Sequence, residues 1–251
     1  MRTGRVGRPP GDSGLCVLNA KTLRGVSSCH FPQQVLLLLL SWTQARSLRA
    51  FAATQVTGDK ALGKLKAGNA KFVSAPDQCI SDLAQQRAGL AAGQSPWATI
   101  LTCSDSRVAP ELIFGGMDLG ELFVARNAGN TANTATLGTI EYGAEHLGVP
   151  LIVVLGHERC GAVSAACEVV EKHAKLPGFI APMINAIVPA ARAVHGTPGD
   201  FVDNTVRENA RRVAVQISAQ SKIVKHLEEA GKLKVAYARY DLDSGVVDFL
   251  G

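Results

Sequence analysis

The stretch Thr102-Cys103-Ser104-Asp105-Ser106-Arg107 places a thiol, a carboxylate and a guanidinium close together in the chain. It directly follows the apolar segment 97–101, a pattern that is typical of a buried β-strand. Open α/β sheets place their functional sites just beyond the carboxyl ends of their strands. The sequence therefore predicts an α/β fold with reactive side chains at one edge of its sheet.

A second apolar segment leads into a similar cluster of polar residues. Residues 150–155 are expected to form another buried strand, and Gly156-His157-Glu158-Arg159-Cys160-Gly161 follows it. Two strand ends would then offer Cys103, His157 and Cys160 as ligands for one metal ion. Two thiolates and one imidazole suit zinc, which favours tetrahedral sites of nitrogen and sulfur ligands. Three protein ligands with an open fourth position are typical of a catalytic zinc, and four of a structural one.

The other cysteines leave some alternatives open and exclude others. The sequence does not exclude Cys79 as a fourth ligand, which would make the zinc structural. Cys167 lies on a predicted helix about 10 Å beyond Cys160, at ~1.5 Å per residue, so it cannot reach the same ion. Cys160 could instead be a reactive thiol at a helix N-terminus. A thiol-phosphatase site is excluded, because too few residues separate Cys103 from Arg107 for that chemistry.

Asp105 allows more than one interpretation. A lone Asp in a serine-rich turn most often caps the backbone of that turn. Alternatively, Arg107 can hold the carboxylate ionised in a bidentate ion pair, so that it accepts a hydrogen bond from water at the metal. In a third arrangement the carboxylate binds the metal as a fourth ligand and closes the site.

The rest of the pattern predicts alternating strands and helices. Strands are expected over 97–102, 122–126, 151–155, 234–240 and 246–250, with a hairpin turn at 243–245 between the last two. Helices are expected over 59–72 with Asp59 as its cap, 77–92, 110–114, 134–146, 161–172, 177–194 with Pro182 and Pro189 as potential breaks, and most of 198–227. This order predicts a mostly parallel central β-sheet of about four strands with an antiparallel edge strand, flanked by helices and preceded by an N-terminal helical arm.

Composition narrows the class of protein further. The 251 residues are 47% hydrophobic but only 5% aromatic, which suits close packing of helices on a sheet better than an all-β sandwich. Residues 1–58 hold seven Lys and Arg and one acidic residue, whereas residues 59–251 hold 19 basic and 20 acidic ones. The net charge of +5 therefore belongs to the N-terminal segment, and the remainder has no basic footprint for nucleic acid.

Residues 1–55 are interpreted as a leader, and residues 56–251 as the folded catalytic domain. The leader is basic, and its segment 45–52 has the Arg, Ser, Leu and Ala content of an organellar transit peptide. Its apolar run, residues 35–40, is too short to span a bilayer, which takes about 20 residues. We expect import into a mitochondrion or chloroplast, with export or a cytoplasmic location as the alternatives.

The two motifs, Cys-Ser-Asp-Ser-Arg at 103–107 and Gly-His-x-x-Cys-Gly at 156–161, together resemble the β-class carbonic anhydrases. The similarity extends to residues 68–72, 120–130 and 140–142 and covers roughly 60–251. It implies zinc-dependent, reversible hydration of CO2 to bicarbonate and a proton. One Zn²⁺ per subunit would be bound by the two cysteines and the histidine of these motifs. Asp105 and Arg107 would be catalytic, orienting the zinc hydroxide that attacks CO2.

The resemblance also implies where substrate binds. Gln94 matches the position of a glutamine that donates to a substrate oxygen, and the family's small apolar CO2 pocket corresponds to Phe123, Ala128, Tyr142 and Gly161. The family builds its site at a subunit interface, so we expect a homodimer or a higher multiple of dimers. Two alternatives remain: hydrolysis of carbonyl sulfide or carbon disulfide on the same fold, and a non-catalytic zinc protein. A non-catalytic protein would not need the Asp–Arg pair or Gln94.

Overall fold

One five-stranded β-sheet organises the part of the chain that the computed structural model describes, residues 54–76, 83–116 and 118–251. Its strands are β1 (Ala98–Thr102), β2 (Leu122–Arg126), β3 (Leu151–His157), β4 (Lys234–Tyr240) and β5 (Val247–Phe249). Their spatial order is β2-β1-β3-β4-β5; the first four are parallel, and β5 runs antiparallel to β4. The predicted sheet of four parallel strands with an antiparallel edge strand is confirmed.

Helices flank this sheet, as the sequence predicts. They are α1 (Gly58–Ser74), α2 (Leu83–Leu90), α3 (Pro110–Ile113), α4 (Thr134–His146), α5 (Gly161–Lys172), α6 (Ile180–Asn185), α7 (Val188–Val194), α8 (Phe201–Gln220) and α9 (Lys222–Glu229). Within the described ranges, none of these helices is long and apolar enough to cross a membrane.

The central strand β3 is buried on both faces of the sheet. Leu151, Val153 and Leu155 contribute to a core that also contains Ala61 and Leu65 of α1. The alternate residues, Ile152 and Val154, belong to a second core with side chains from α4 and α8. This division follows from the strand's period of two, which sends successive side chains to opposite faces. A near-continuous apolar run is therefore what a strand covered on both sides requires.

The start of α1 differs from the prediction that Asp59 caps it. Thr57 has an extended backbone, and its side-chain oxygen accepts a hydrogen bond from the Lys60 N–H at 3.4 Å. Asp59 instead lies in the first turn, where its carboxylate pairs with Lys234 at 2.9 Å. Threonine competes well for the capping position, and an acidic residue in the first turn suits the positive end of the helix dipole.

The segment predicted as one helix over 177–194 forms the two helices α6 and α7. The break falls at Ala186 and Ile187, so the expectation that Pro182 or Pro189 would cause it was wrong. Both prolines lie in the first turn of their helix, where the missing N–H has no partner to lose. Of the helix predicted over 77–92, Leu83–Leu90 is observed, and residues 77–82 lie outside the described part of the chain.

The connection between β4 and β5 is longer than the predicted turn at 243–245. It spans residues 241–246, and we call it the hairpin loop. Asp241 organises it, because one carboxylate oxygen accepts hydrogen bonds from the N–H groups of Asp243 and Ser244 at 3.1 and 2.8 Å. Such Asx turns stabilise a loop through local bonds, so the hairpin loop has a defined shape.

Close packing of α1 against Gly115, the second residue after α3, gives a first testable prediction. Gly115 has a φ of +89°, and an added Cβ would lie 2.5 Å from the carbonyl oxygen of Gly68. We expect Gly115→Ala to lower the free energy of unfolding by about 1–3 kcal/mol from left-handed backbone strain. The clash with Gly68 adds to this loss. Gly63→Ala is the control, because that helical position has open space around it and should gain up to about 1 kcal/mol. Equal midpoints for the two variants in urea denaturation would contradict this account.

Candidate metal centre and active site

Three potential metal ligands converge at the carboxyl edge of the sheet. Cys103 follows β1, His157 ends β3, and Cys160 directly precedes α5. The two sulfur atoms are 3.9 Å apart, and the ligand atoms of all three residues lie within 4.8 Å of one another. The side chains are almost completely buried, with relative exposures of 5%, 0% and 1%. Among the described residues, this is the group of His, Cys, Asp or Glu side chains arranged to hold a metal ion.

The orientation of His157 is fixed by its own backbone neighbour. Its Nδ1 lies 2.9 Å from the carbonyl oxygen of Glu158, which can only accept, so Nδ1 carries the proton and donates it. The Nε2 atom then carries no proton and has its lone pair free. It is buried without a hydrogen-bond partner. A buried polar atom without a partner is rare and points to an unseen ligand such as a metal ion.

The two thiols interact strongly because they share a buried site. A hydrogen bond with Cys160 is the main cause that lowers the pKa of Cys103, and the N–H of Gly129 assists by donating to the Cys103 sulfur at 3.4 Å. The same hydrogen bond, followed by burial, raises the pKa of Cys160. Contact between the two thiols therefore shifts their pKa values in opposite directions, and a divalent cation would allow both thiols to ionise.

A bidentate ion pair lies beside the ligand group. Arg107 donates from Nε and Nη2 to the two carboxylate oxygens of Asp105 at 2.9 and 2.7 Å. Its backbone N–H donates to the same carboxylate at 2.9 Å, so the turn-capping bond and the ion pair are both present. The Arg107 side chain holds the pKa of Asp105 far below its usual range. Asp105 Oδ2 is 3.8 Å from the free Nε2 of His157, which places the carboxylate next to the metal ligands.

The position of Cys167 agrees with the prediction from its spacing. Cys167 is buried in α5 and its thiol donates to the Thr205 hydroxyl at 3.4 Å, outside the ligand group. Cys79 lies outside the described residues, so the structure does not test the alternative in which it supplies a fourth ligand.

Two of the five expected substrate-binding residues lie beside the ligands. Gly161 is the first residue of α5, directly after Cys160. Ala128 precedes Gly129, whose N–H reaches the Cys103 sulfur. Both residues are small, and a Cβ added at Gly161 would meet no other part of the described chain within 4 Å.

The other three expected substrate-binding residues lie away from the metal ligands of their own chain. Phe123 pairs in register with Thr99, four residues before Cys103 and so about 13 Å away along the strand at ~3.3 Å per residue. Tyr142 lies against Phe123, with ring centroids 6.2 Å apart, and is 47% exposed. Gln94 precedes β1 at its amino end and is exposed. One chain therefore divides the expected pocket between two separate places.

Some residues that shape the site were not predicted as site residues. Arg126 ends β2 and donates from Nε and Nη2 to the carbonyl oxygens of Cys103 and Asp105 at 3.1 and 2.7 Å. Asn209 of α8 donates to the carbonyl oxygen of Gly129 at 3.0 Å. Both side chains fix loop backbone at the ligands, and because their targets are distant in sequence, no local pattern indicates them.

Comparison with known proteins then identifies the family. A family model described as carbonic anhydrase matches residues 98–247. This chain belongs to the carbonic anhydrase family. Carbonic anhydrase 2 of Mycobacterium tuberculosis is 38% identical over 181 residues, which cover 72% of this chain and 87% of that protein. The carbonic anhydrase of Mycolicibacterium smegmatis is 34% identical over 184 residues, with 73% and 89% covered.

A solved structure assigns this carbonic anhydrase to the β class. The Coccomyxa β-carbonic anhydrase, determined in complex with acetazolamide, is 30% identical with a TM-score of 0.61, and the match covers 75% of this chain and 86% of that one. Zinc is the metal of this class, and the residues present here fit it. Two thiols and an imidazole are a donor set that zinc favours, and the buried Nε2 of His157 has no other partner among the described residues.

Proposed function

We propose that this carbonic anhydrase interconverts CO2 and bicarbonate with one Zn²⁺ per subunit, held by Cys103, His157 and Cys160. The buried three-ligand group with an unpartnered imidazole nitrogen, next to a clamped carboxylate, is the observation that carries this proposal. Zinc supplies Lewis acidity, which lowers the pKa of a bound water from ~15.7 towards ~7. The residues of the chain supply the orientation and the pocket.

Asp105 orients the attacking water. An ionised carboxylate only accepts hydrogen bonds, and Arg107 keeps this one ionised while occupying one direction on each oxygen. The lone pairs that remain on Oδ2, near His157 Nε2, are free to accept an O–H from water at the ligand group. With its proton held there, the water turns a lone pair towards CO2, which is the alignment that the addition requires.

Gln94, Phe123 and Tyr142 complete the site of a partner subunit. Within the described residues, β2 is an edge strand that pairs only with β1, so its outer backbone groups are available to a second copy. Tyr142 is an exposed aromatic residue packed against this strand. A homodimer that pairs along β2 would cover both features and bring the Gln94 amide, a donor for a substrate oxygen, to the other chain's ligands.

Mixing two inactive variants tests this shared site. Asp105→Asn and Gln94→Ala subunits are each expected to be poorly active alone. After joint refolding, we expect about a quarter of wild-type activity, since half of the dimers are mixed and each mixed dimer carries one intact site. Analytical ultracentrifugation of the same samples reports the oligomer. Recovery no greater than the sum of the two variants, in a sample that is dimeric, would place Gln94 in its own subunit's site or in none.

We propose that residues 1–55 direct the protein into a mitochondrion or chloroplast and that residues 56–251 act after their removal. The basic, nearly acid-free composition of the leader supports this location. A fusion of residues 1–55 to a fluorescent protein tests it, and a diffuse cytoplasmic signal would contradict it.

Stopped-flow measurement of CO2 hydration with a pH indicator tests the reaction itself. We expect fast hydration by protein that contains one zinc per chain. A zinc-loaded protein without hydration activity from pH 7 to 9 would reject the proposed reaction.

A further inference from the structure

The two residues between the metal ligands His157 and Cys160 are held by the C-terminal hairpin. The backbone N–H of Glu158 donates to the carbonyl oxygen of Tyr240 at 2.9 Å. In return, the N–H of Leu242 in the hairpin loop donates to the Glu158 carboxylate at 3.1 Å. The turn at 158–159 is therefore fixed through both its backbone and a side chain.

Arg159 adds a bidentate ion pair to these contacts. Its Nη1 and Nη2 donate to the two carboxylate oxygens of Asp243 at 2.9 and 2.7 Å. Arg159 also has a φ of +49°, a left-handed conformation that residues other than glycine seldom adopt. An exposed ion pair stabilises a fold little, so this one is better placed to hold a local conformation than to support the whole domain.

The hairpin loop is itself anchored to the interior. Asp243 donates its N–H to the carboxylate of Asp241, and that carboxylate pairs with Arg239 at 2.6 Å. The Arg239 side chain is only 9% exposed and donates at 2.7 Å to Asp203 of α8 as well. A chain of charged contacts thus joins the Arg159 guanidinium to a buried arginine, which gives the loop a rigid base.

The carbonyl oxygen of Arg159 connects this turn to the catalytic pair. Arg107 Nη2 has two N–H groups; it donates at 2.7 Å to the Asp105 carboxylate and at 3.3 Å to the Arg159 carbonyl oxygen. The other hydrogen bonds given above for the pair stay within its own loop or come from Arg126 on β2. The Arg159 carbonyl is the point at which the pair is tied to the segment that carries the other two ligands.

We propose that Arg159 and Asp243 are positioning residues for the Asp105–Arg107 pair. Their ion pair holds the Arg159 carbonyl where Arg107 donates to it, and this fixes the Asp105 carboxylate relative to His157. The inference rests on the proposed role of Asp105 in the CO2 reaction. It assigns a catalytic contribution to the C-terminal hairpin, which contains no metal ligand.

Removing either partner of the ion pair tests the proposal. Asp243→Asn and Arg159→Gln are each expected to lower kcat/KM about threefold to tenfold, the weight of roughly one hydrogen bond. The double variant should lose no more than either single one, because all three remove the same pair. Asp243→Glu should recover most of the activity. Glu168→Gln is the control: it breaks an exposed ion pair with Lys172 that does not contact the site, and should leave kcat/KM unchanged.

The reactivity of Arg107 provides a readout that is independent of turnover. In the zinc-loaded proteins, modification of Arg107 by phenylglyoxal, followed by peptide mass spectrometry, should be about two- to tenfold faster in Asp243→Asn than in wild type. Unchanged Arg107 reactivity, additive losses in the double variant, or a fall in activity explained by lost zinc would each overturn the proposal. If the wild-type protein fails to hydrate CO2, the proposed function is wrong, and Arg107 reactivity still decides whether the ion pair positions this side chain.

Discussion

Cys160→Ser is expected to abolish zinc binding and to lower kcat/KM by about 10³-fold or more, the scale of the Lewis-acid contribution. Cys160 is 1% exposed and its sulfur lies 3.9 Å from that of Cys103, so a serine hydroxyl there would be a poor ligand in a buried site. Losing one of three protein ligands also leaves the unpartnered Nε2 of His157 without its metal. Zinc content by atomic absorption and CO2 hydration by stopped flow measure the two effects.

Cys167→Ser is the matched control for this substitution. Cys167 is also a buried cysteine, seven residues further along the chain, but its thiol contacts the Thr205 hydroxyl and not the ligand group. A serine there keeps a hydrogen bond to Thr205, so zinc content and turnover should stay near wild type. Equal loss of zinc in both variants would mean that burial of any cysteine in this region, and not metal ligation, determines the result.

The sequence predicted the ligand group because the relevant geometry is set by strands. Cys103 and His157 each lie at the end of an apolar strand, and parallel strands that share a sheet end at the same edge. Cys160 follows three residues after His157, a separation that a single turn bridges. The chemistry of thiol and imidazole then indicated zinc without any knowledge of the packing.

The same reasoning could not place the rest of the expected pocket. Where Phe123 lies depends on the register of β2 against β1, which pairs it with Thr99 and not with Cys103. Register is determined by packing over a whole sheet face, and no pattern within β2 encodes it. Gln94 and Tyr142 share this limitation, because their place in the expected pocket rests on the proposed dimer.

Local sequence patterns also could not predict the contacts between segments that are distant in the chain. The sequence indicated a hairpin turn near Asp243 but gave no sign that this residue pairs with Arg159, 84 positions earlier. Glu158 and Arg159 place two charged side chains between two of the ligands. The structure explains both side chains through their hydrogen bonds to the hairpin loop. The prediction of the cap of α1 failed for a related reason. Thr57 and Asp59 are both good capping residues, and the choice between them depends on Lys234, which pairs with Asp59.

Asp105→Asn is expected to lower kcat/KM by about 10²- to 10³-fold while the protein keeps one zinc per chain, a loss comparable to removing one oriented hydrogen-bonding group from an active site. The amide has the same shape but carries two N–H donors, which face the donors of Arg107 in place of an acceptor. It can therefore neither form the bidentate pair nor reliably accept the hydrogen bond from the water. Retained zinc distinguishes this loss from that of a ligand variant.

The pH dependence of the Asn variant gives the sharper test of the same role. The Arg107 side chain holds the pKa of Asp105 far below its usual range, so this carboxylate is ionised throughout the neutral and alkaline range. Asp105 therefore should not produce the rise of activity with pH, and the Asn variant should keep that rise at a lower level of activity. Glu229→Gln is the control, because that exposed carboxylate pairs with Lys225 within α9, outside the ligand group and the hairpin loop, and it should leave both rate and profile unchanged. Disappearance of the rise of activity with pH in Asp105→Asn would mean that Asp105 itself titrates during the reaction, which an arginine-clamped carboxylate does not do.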